Sequence, residues 1–180
     1  MAEGSYNKIL WLAIFLVIQV AIVILFALCY DYPDFARPKM VNYDPNAEIE
    51  HEASYAVFQD VNVMVYIGFG FLYTYLKDHS LSSASLNLIL AVFTFEWSTL
   101  CQGFFERAFE PKEVGVDRWR NLKFDLKTMI EGDFGAAAIL ISYGAVMGKA
   151  NLPQLFIMAF IESITYSLNY RLGEIHEDFG

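Results

Sequence analysis

An uncharged apolar run of 22 residues near the N-terminus, residues 9–30, constrains the fold of this chain more than any other feature. Its one strongly polar side chain is that of Gln19. About 20 apolar residues in a helix are enough to cross roughly 30 Å of hydrocarbon. A signal peptide is the alternative, with Lys8 as its basic flank, but its apolar core is usually only about 7–15 residues long. The run therefore predicts a transmembrane helix.

Four further apolar blocks are long enough to span, and they lie at about 55–76, 83–105, 128–148 and 152–172. The whole chain is 56% hydrophobic and 17% aromatic, which is more apolar surface than a soluble domain of 180 residues can bury. Two longer polar segments, 31–54 and 106–127, connect the blocks, together with the short turns 77–82 and 149–151. We expect an all-α polytopic membrane protein with about five transmembrane helices, in a single membrane domain over residues 1–180.

Several carboxylates lie inside these blocks: Asp60, Glu96, Glu131, Asp133 and Glu162. A carboxylate that faces lipid in mid-bilayer costs at least about 2.5 kcal/mol, so we expect these side chains to face protein, water or an interface. Asp60 follows Gln59 where its block opens. We predict that it caps the N-terminus of a helix, where a carboxylate accepts backbone N–H bonds and favours the positive end of the dipole.

Composition and spacing exclude several classes of function. The net charge is −9 and no basic stripe occurs, which argues against nucleic-acid binding. Cys29 and Cys101 lie in apolar blocks as predicted free thiols, and none of the three histidines has a second ligand at metal-binding spacing. No nucleophile is paired with a base, and no two carboxylates have a catalytic spacing. We therefore expect no enzyme activity, no metal and no cofactor.

The positively charged residues are divided unevenly between the two ends of such a bundle. Nine of the twelve lysine and arginine residues fall on the side of the two long segments. The positive-inside rule would place that side in the cytoplasm and the N-terminus outside. Acidic residues are interleaved with most of these nine, however.

Three stretches resemble the Rh glycoprotein branch of the ammonium-transporter family: FQDVNVMVYIGFGFLYTYLK (58–77), GDFGAAAILISYGAVMGK (132–149) and PQLFIMAF (153–160). The match runs in order from about residue 9 to the C-terminus. The resemblance implies a homotrimer in the plasma membrane whose subunits have eleven or twelve spans. Each subunit would hold a narrow apolar pore for ammonia between two inverted five-helix repeats. It also implies a cytoplasmic N-terminus, and we follow it over the charge count because the charges are mixed.

The resemblance also implies roles for particular residues. Phe134 matches one of two phenylalanines that form an aromatic gate above the pore, and Asp178 resembles a buried Asp that precedes the first pore histidine. We take Asp133 and Asn169, with Asp60, as structural or vestibule positions.

Several positions depart from the family pattern. Asn62 stands where the family commonly has His, Glu96 where it has a neutral amide, and Tyr170 where a Glu is usual. This last change leaves no acidic vestibule contact at position 170. Neither pore histidine has a match in these residues, since the first should follow Asp178 on the next helix and the second belongs to the second repeat, which is absent here.

The resulting hypothesis is the N-terminal part of a channel for ammonia and ammonium, with carbon dioxide as a further candidate substrate. Ammonium would be recruited at an outer vestibule and lose a proton, and the neutral gas would pass through the apolar pore. We expect the 180 residues alone not to conduct, because one wall of the pore is missing. The alternative is a truncated, non-transporting membrane protein that interacts with full-length subunits.

Overall fold

The computed structural model describes residues 2–31, 45–75, 80–109 and 122–178. Helices dominate these residues: α1 (Ala2–Cys29), α2 (Pro45–Val63), α3 (Phe69–Thr74), α4 (Ser80–Phe109), α5 (Leu126–Val146) and α6 (Leu152–Asp178). Two strands of two residues each, β1 (Tyr30–Asp31) and β2 (Leu122–Lys123), complete the described elements. The predicted all-α class is confirmed.

A π-helical turn, Met64–Gly68, joins α2 and α3 into one continuous rod. The backbone N–H of Phe69 donates to the carbonyl of Met64, five residues earlier, instead of four as in an α-helix. Such single π turns inside longer helices often occur at functional sites. With α2, the π turn and α3 counted together, five long helical rods correspond to the five apolar blocks.

The rods alternate in direction, as expected for a chain that passes back and forth. The helices α1 and α4 are parallel, because Phe15 contacts Phe93 and Gln19, one turn later, contacts Glu96. The helices α4 and α6 are parallel for the same reason, with the contacts Phe93–Phe156 and Trp97–Phe160. Contacts that advance in opposite order show that α5 is antiparallel to α4: Tyr143 to Ser83, and Gln102 to Glu131.

The two long polar segments attach at the same end of the bundle. Tyr30 pairs with Leu122 in the parallel β1–β2 bridge, so the end of α1 lies beside the start of α5. The hydroxyl of Tyr30 also donates to the carbonyl of Thr99 in α4, at 2.8 Å. Within the described residues, the helix ends that carry the long segments therefore meet at one end, which we call the loop end.

Three helical segments of the described residues are long and apolar enough to cross a membrane: Ser54–Thr74, Ser82–Phe109 and Leu126–Val146. The apolar part of α1, Ala13–Cys29, is shorter. The helix α6 contains 27 residues but is less apolar, since Glu162, Arg171 and Glu174 lie within it. The bounds of the five predicted spans stay a prediction.

The helices α4 and α5 pack closely because α5 presents glycine to α4. A Cβ atom added at Gly132 would collide with Thr99, and one added at Gly135 would collide with Ser98. Small residues at such contacts let two helix backbones approach where lipid supplies no hydrophobic driving force. Ala136 and four other side chains of α5 are buried on the same side, which fixes how this helix is rotated: Asp133, Ile139, Leu140 and Tyr143.

The residues that start two of these helices differ from what the sequence suggested. Asp125 caps the start of α5, because its carboxylate accepts hydrogen bonds from the Thr128 backbone N–H at 2.9 Å and from the Thr128 hydroxyl. Asp60 is not a cap, so that prediction is wrong. The α2 helix begins at Pro45, inside the predicted loop, and Asp60 lies far along it with an exposed side chain. Proline is well suited to the first turn of a helix, because its missing N–H has no partner there.

Candidate functional site

Asp133 is a fully buried carboxylate in the second turn of α5. One of its oxygens, Oδ2, accepts a hydrogen bond from the Asn62 side-chain amide of α2 at 3.4 Å. The other oxygen, Oδ1, is buried and has no hydrogen-bond partner among the described residues. Ionisable side chains inside a membrane span are rare and usually face the interior of the bundle. Asp133 therefore faces protein, as the sequence predicted.

Phe134, the next residue, points away from this core. Its side chain is 44% exposed. It begins a stripe along α5 that continues through Ala138, Ile141 and Ala145, spaced three or four residues apart. This stripe is the side of α5 that the described helices leave uncovered. The geometry places Phe134 on an open surface, while its role as a gate stays a prediction.

The other carboxylates of the apolar blocks have polar partners on neighbouring helices. Glu96 of α4 accepts a hydrogen bond from Gln19 of α1. Glu162 of α6 accepts one from the Ser142 hydroxyl of α5, at 2.5 Å. Both partners lie within the described part of this chain, so Glu96 and Glu162 face protein, as the sequence predicted.

A polar cavity of about 360 Å³ opens at the loop end, between the end of α4, the start of α5 and the second half of α6. Charged side chains of both signs line it. Arg171 pairs with Glu174 at 2.5 Å, and Lys127 lies 3.6 Å from Glu131 and 3.9 Å from Glu174. The cavity thus lies at the loop end, beside the first turns of the helix that carries Phe134.

A hydrogen bond across this cavity was not foreseen from the sequence. The Tyr170 hydroxyl of α6 donates to the carboxylate of Glu131 at 3.2 Å, across 39 residues of sequence. Tyr170 is one of the positions at which the sequence departs from the pattern that the resemblance implies. The acidic partner on a different helix could be found only from the way the helices pack.

The remaining candidates do not gather into one site. Asn169 lies on α6 with an exposed side chain. Asp60 is exposed on α2, two residues before Asn62. Asp178 is the last residue of α6, and its side chain lies outside the part that the structure describes. Of the five candidates, only Asp133 and Phe134 are direct neighbours.

The described residues hold no group of three or more His, Cys, Asp or Glu side chains that could bind a metal ion. Cys29 and Cys101 are free thiols, as the sequence suggested. Both line a second, apolar cavity of about 330 Å³ between α1, α4 and α6.

Comparison with known proteins gives a consistent family. Residues 14–180 match the model of the Ammonium Transporter Family. The chain is 37% identical over 174 residues to ammonium transporter Rh type B of Danio rerio and 39% identical over 177 residues to Rh type B-A of Xenopus laevis. Each alignment covers 94% of this chain but 36% of the relative, so the chain spans about a third of the length of these proteins.

A second type of relative agrees with this result. Ammonium transporter Rh type A of Canis lupus familiaris is 40% identical over 124 residues, which are 68% of this chain and 28% of the relative. The helical bundle and its apolar helices fit a membrane protein that crosses the bilayer several times. The chain belongs to the Ammonium Transporter Family, in its Rh branch, and is a multi-pass membrane protein.

Proposed function

We propose that this chain forms the N-terminal part of an Rh-type channel that carries ammonia or ammonium across a membrane, with carbon dioxide as a further candidate. The observation that carries the proposal is the uncovered stripe of α5, which begins at Phe134 beside the buried Asp133. A face with an aromatic ring at one end and small or apolar residues beyond it suits one wall of a narrow apolar pore.

The relatives support the substrate class. The proteins that match over most of this chain are named ammonium transporters of Rh type A and type B. They are almost three times as long as this chain, so the opposite wall of the pore would come from residues beyond those that match. The 180 residues alone would then not conduct.

The mechanism follows from the cost of charge in an apolar pore. An ion pays a large free energy to leave water for such a pore, while a neutral molecule pays little. Ammonium would gather at the polar cavity of the loop end and give up a proton, and ammonia would pass the ring of Phe134. The protein would act as a transporter and not as an enzyme.

The other candidate residues have supporting roles in this proposal. Asp133 would hold α2 against α5 beside the gate, and Asp60 and Asn169 would lie at exposed positions near the water. Asp178 would be a structural carboxylate close to the next helix. The full-length protein would be a homotrimer in the plasma membrane, with the lipid bilayer around it.

The test is ammonium-driven pH change in proteoliposomes, followed by stopped flow. The full-length protein that contains this chain should change the internal pH much faster than empty liposomes do, and the purified 180-residue chain should not. Full-length protein that is no faster than empty liposomes would contradict the proposed function. Flux through the 180-residue chain alone would contradict the claim that a second wall is needed.

A further inference from the structure

We propose that Glu131 of α5 supplies the carboxylate that attracts the cationic substrate at the loop end, and that Tyr170 and Gln102 position it. This inference rests on the proposed function and names the residue of this chain that would select a cation. It also concerns a residue for which the sequence pattern gave no role beyond that of an acid near the start of a helix.

Two neighbouring helices hold Glu131 at the wall of the polar cavity. The Tyr170 hydroxyl of α6 donates to its Oε1 at 3.2 Å. The Gln102 side-chain amide of α4 donates to its backbone carbonyl at 3.0 Å. The Glu131 side chain is 20% exposed, so it is held by protein and still open to the cavity. A carboxylate fixed in this way can meet a ligand without first being ordered.

Gln102, which lines the cavity, also has a buried acceptor that lacks a donor. Gln102 is 7% exposed, and its Nε2 is used by Ser98 Oγ and by the Glu131 carbonyl. Its Oε1 is buried and has no hydrogen-bond partner among the described residues. An amide oxygen buried without a partner is costly, so a bound group with N–H donors would be stabilised here. A protonated amine has only donors to offer, which suits both kinds of acceptor that Gln102 and Glu131 bring to the wall of this cavity.

Most of the other charged groups of the cavity have partners or lie in the open. Arg171 and Glu174 pair at 2.5 Å, and Asp125 caps α5. Glu106, which is exposed, and Arg107 line the cavity from α4. Lys127 is the competing cation at Glu131, at 3.6 Å, but its side chain is 72% exposed. An ion pair with so exposed a partner is weak and screened by salt. A small cation that reaches the cavity could therefore displace Lys127.

Tyr170 reaches the same wall of the cavity from α6. Its hydroxyl lies 3.2 Å from the carboxylate of Glu131 and acts as a hydrogen-bond donor to it. A carboxylate placed at position 170 would therefore lie close to the position that the Glu131 carboxylate occupies now.

The experiment is methylammonium uptake by the full-length protein at low and high ionic strength, with KM and maximal rate determined separately. Glu131→Gln should raise KM about fivefold at low salt and leave the maximal rate nearly unchanged, because a nearby charge mainly attracts the cation. The effect should shrink at high salt, where charges are screened. The matched control is Asp78→Asn, which removes the same charge from the connection between α3 and α4.

Two further variants separate the charge from the fold. Lys127→Met removes the competing cation and should lower KM. The swap Glu131→Gln with Tyr170→Glu moves the carboxylate to α6 and should restore the KM of the parent protein. Lys127→Met can be read even if Glu131→Gln fails to reach the membrane.

The outcomes distinguish the two proposals. A full-length protein that takes up no methylammonium or ammonium overturns the proposed function itself. Uptake by the parent with an unchanged KM in Glu131→Gln at both salt concentrations overturns the role of Glu131 alone. A raised KM that is independent of salt, or that the swap does not reverse, also overturns it, because it shows a change of structure and not of charge.

Discussion

The Asn62 amide of α2 lies 3.4 Å from the Asp133 carboxylate of α5, and no other described side chain hydrogen-bonds to that carboxylate. The two residues are 71 positions apart in the chain. Their contact joins two helices that run in the same direction, directly beside Phe134. A buried carboxylate with a single hydrogen bond makes this contact sensitive to either partner.

Replacing Asn62 alone should therefore destabilise the bundle more than replacing both residues. Asn62→Leu leaves the Asp133 carboxylate buried without a donor, which costs about 1–3 kcal/mol. The double variant Asn62→Leu with Asp133→Leu removes both polar groups and should recover most of that loss. Thermal unfolding of the purified protein in detergent measures the difference. A double variant less stable than Asn62→Leu would contradict this account.

The glycines of α5 should be intolerant of even a methyl group. Gly135→Ala should destabilise the protein by about 1–3 kcal/mol, because the new Cβ overlaps the Ser98 side chain. The control is Gly173→Ala in α6, where nothing lies within 4 Å of the added atom. That variant should gain up to about 1 kcal/mol, since alanine favours helix over glycine. Equal melting temperatures for the two variants would contradict the close packing of α5 against Ser98 of α4.

Removing the ring of Phe134 should change transport without unfolding the protein. Phe134 is 44% exposed, so Phe134→Ala loses little buried area, while a ring in a narrow pore is a steric barrier. We expect altered uptake of ammonia or methylammonium by the full-length protein at normal expression. Phe71→Ala is the matched control, because Phe71 is 66% exposed on α3. Identical uptake kinetics for the parent and Phe134→Ala would contradict a gate role for Phe134.

Cysteine labelling should separate the two ends of the bundle. In a protein whose native cysteines are replaced by serine, Asn46→Cys should react with a membrane-impermeant reagent from outside the cell. Ser80→Cys and Lys149→Cys should react only from inside, on the side of the cytoplasmic N-terminus. The two sites should share one side because the Tyr143 hydroxyl donates to the Ser83 carbonyl at 3.2 Å, which holds these helix ends together. Labelling of Asn46→Cys from inside would show that the predicted orientation is wrong. Labelling of positions 80 and 149 from different sides would contradict the packing of α4 against α5.

The sequence predicted the helices well and their contacts poorly. Runs of apolar residues long enough to span are visible without any tertiary information, so the five rods fall close to the predicted blocks. The start of α2 was missed because the acidic segment before Asp60 looks like a loop, although residues such as Ala47 and Glu48 favour helix. The π turn has no sequence signal that distinguishes it from the α-helix around it.

For the candidate site too, the sequence identified residues but not their contacts. Phe134 and Asp133 could be named from a short motif, and the structure adds that one is buried and the other exposed. The partners of the buried acids could not be named. Gln19, Asn62 and Tyr170 meet their carboxylates across 77, 71 and 39 residues of sequence, and such pairings depend on how the helices are rotated.

The bridge between Tyr30 and Leu122 has a consequence for the order in which the protein is built. Roughly ninety residues separate the two partners, so the second strand does not exist when α1 leaves the ribosome. At about 5–20 residues per second of synthesis, the wait is on the order of ten seconds. Glu96, which accepts from Gln19, is also made long after α1. Of the described helices, the most apolar one is thus made before the others, and it waits for Glu96 and Leu122 to be synthesised before these contacts can form.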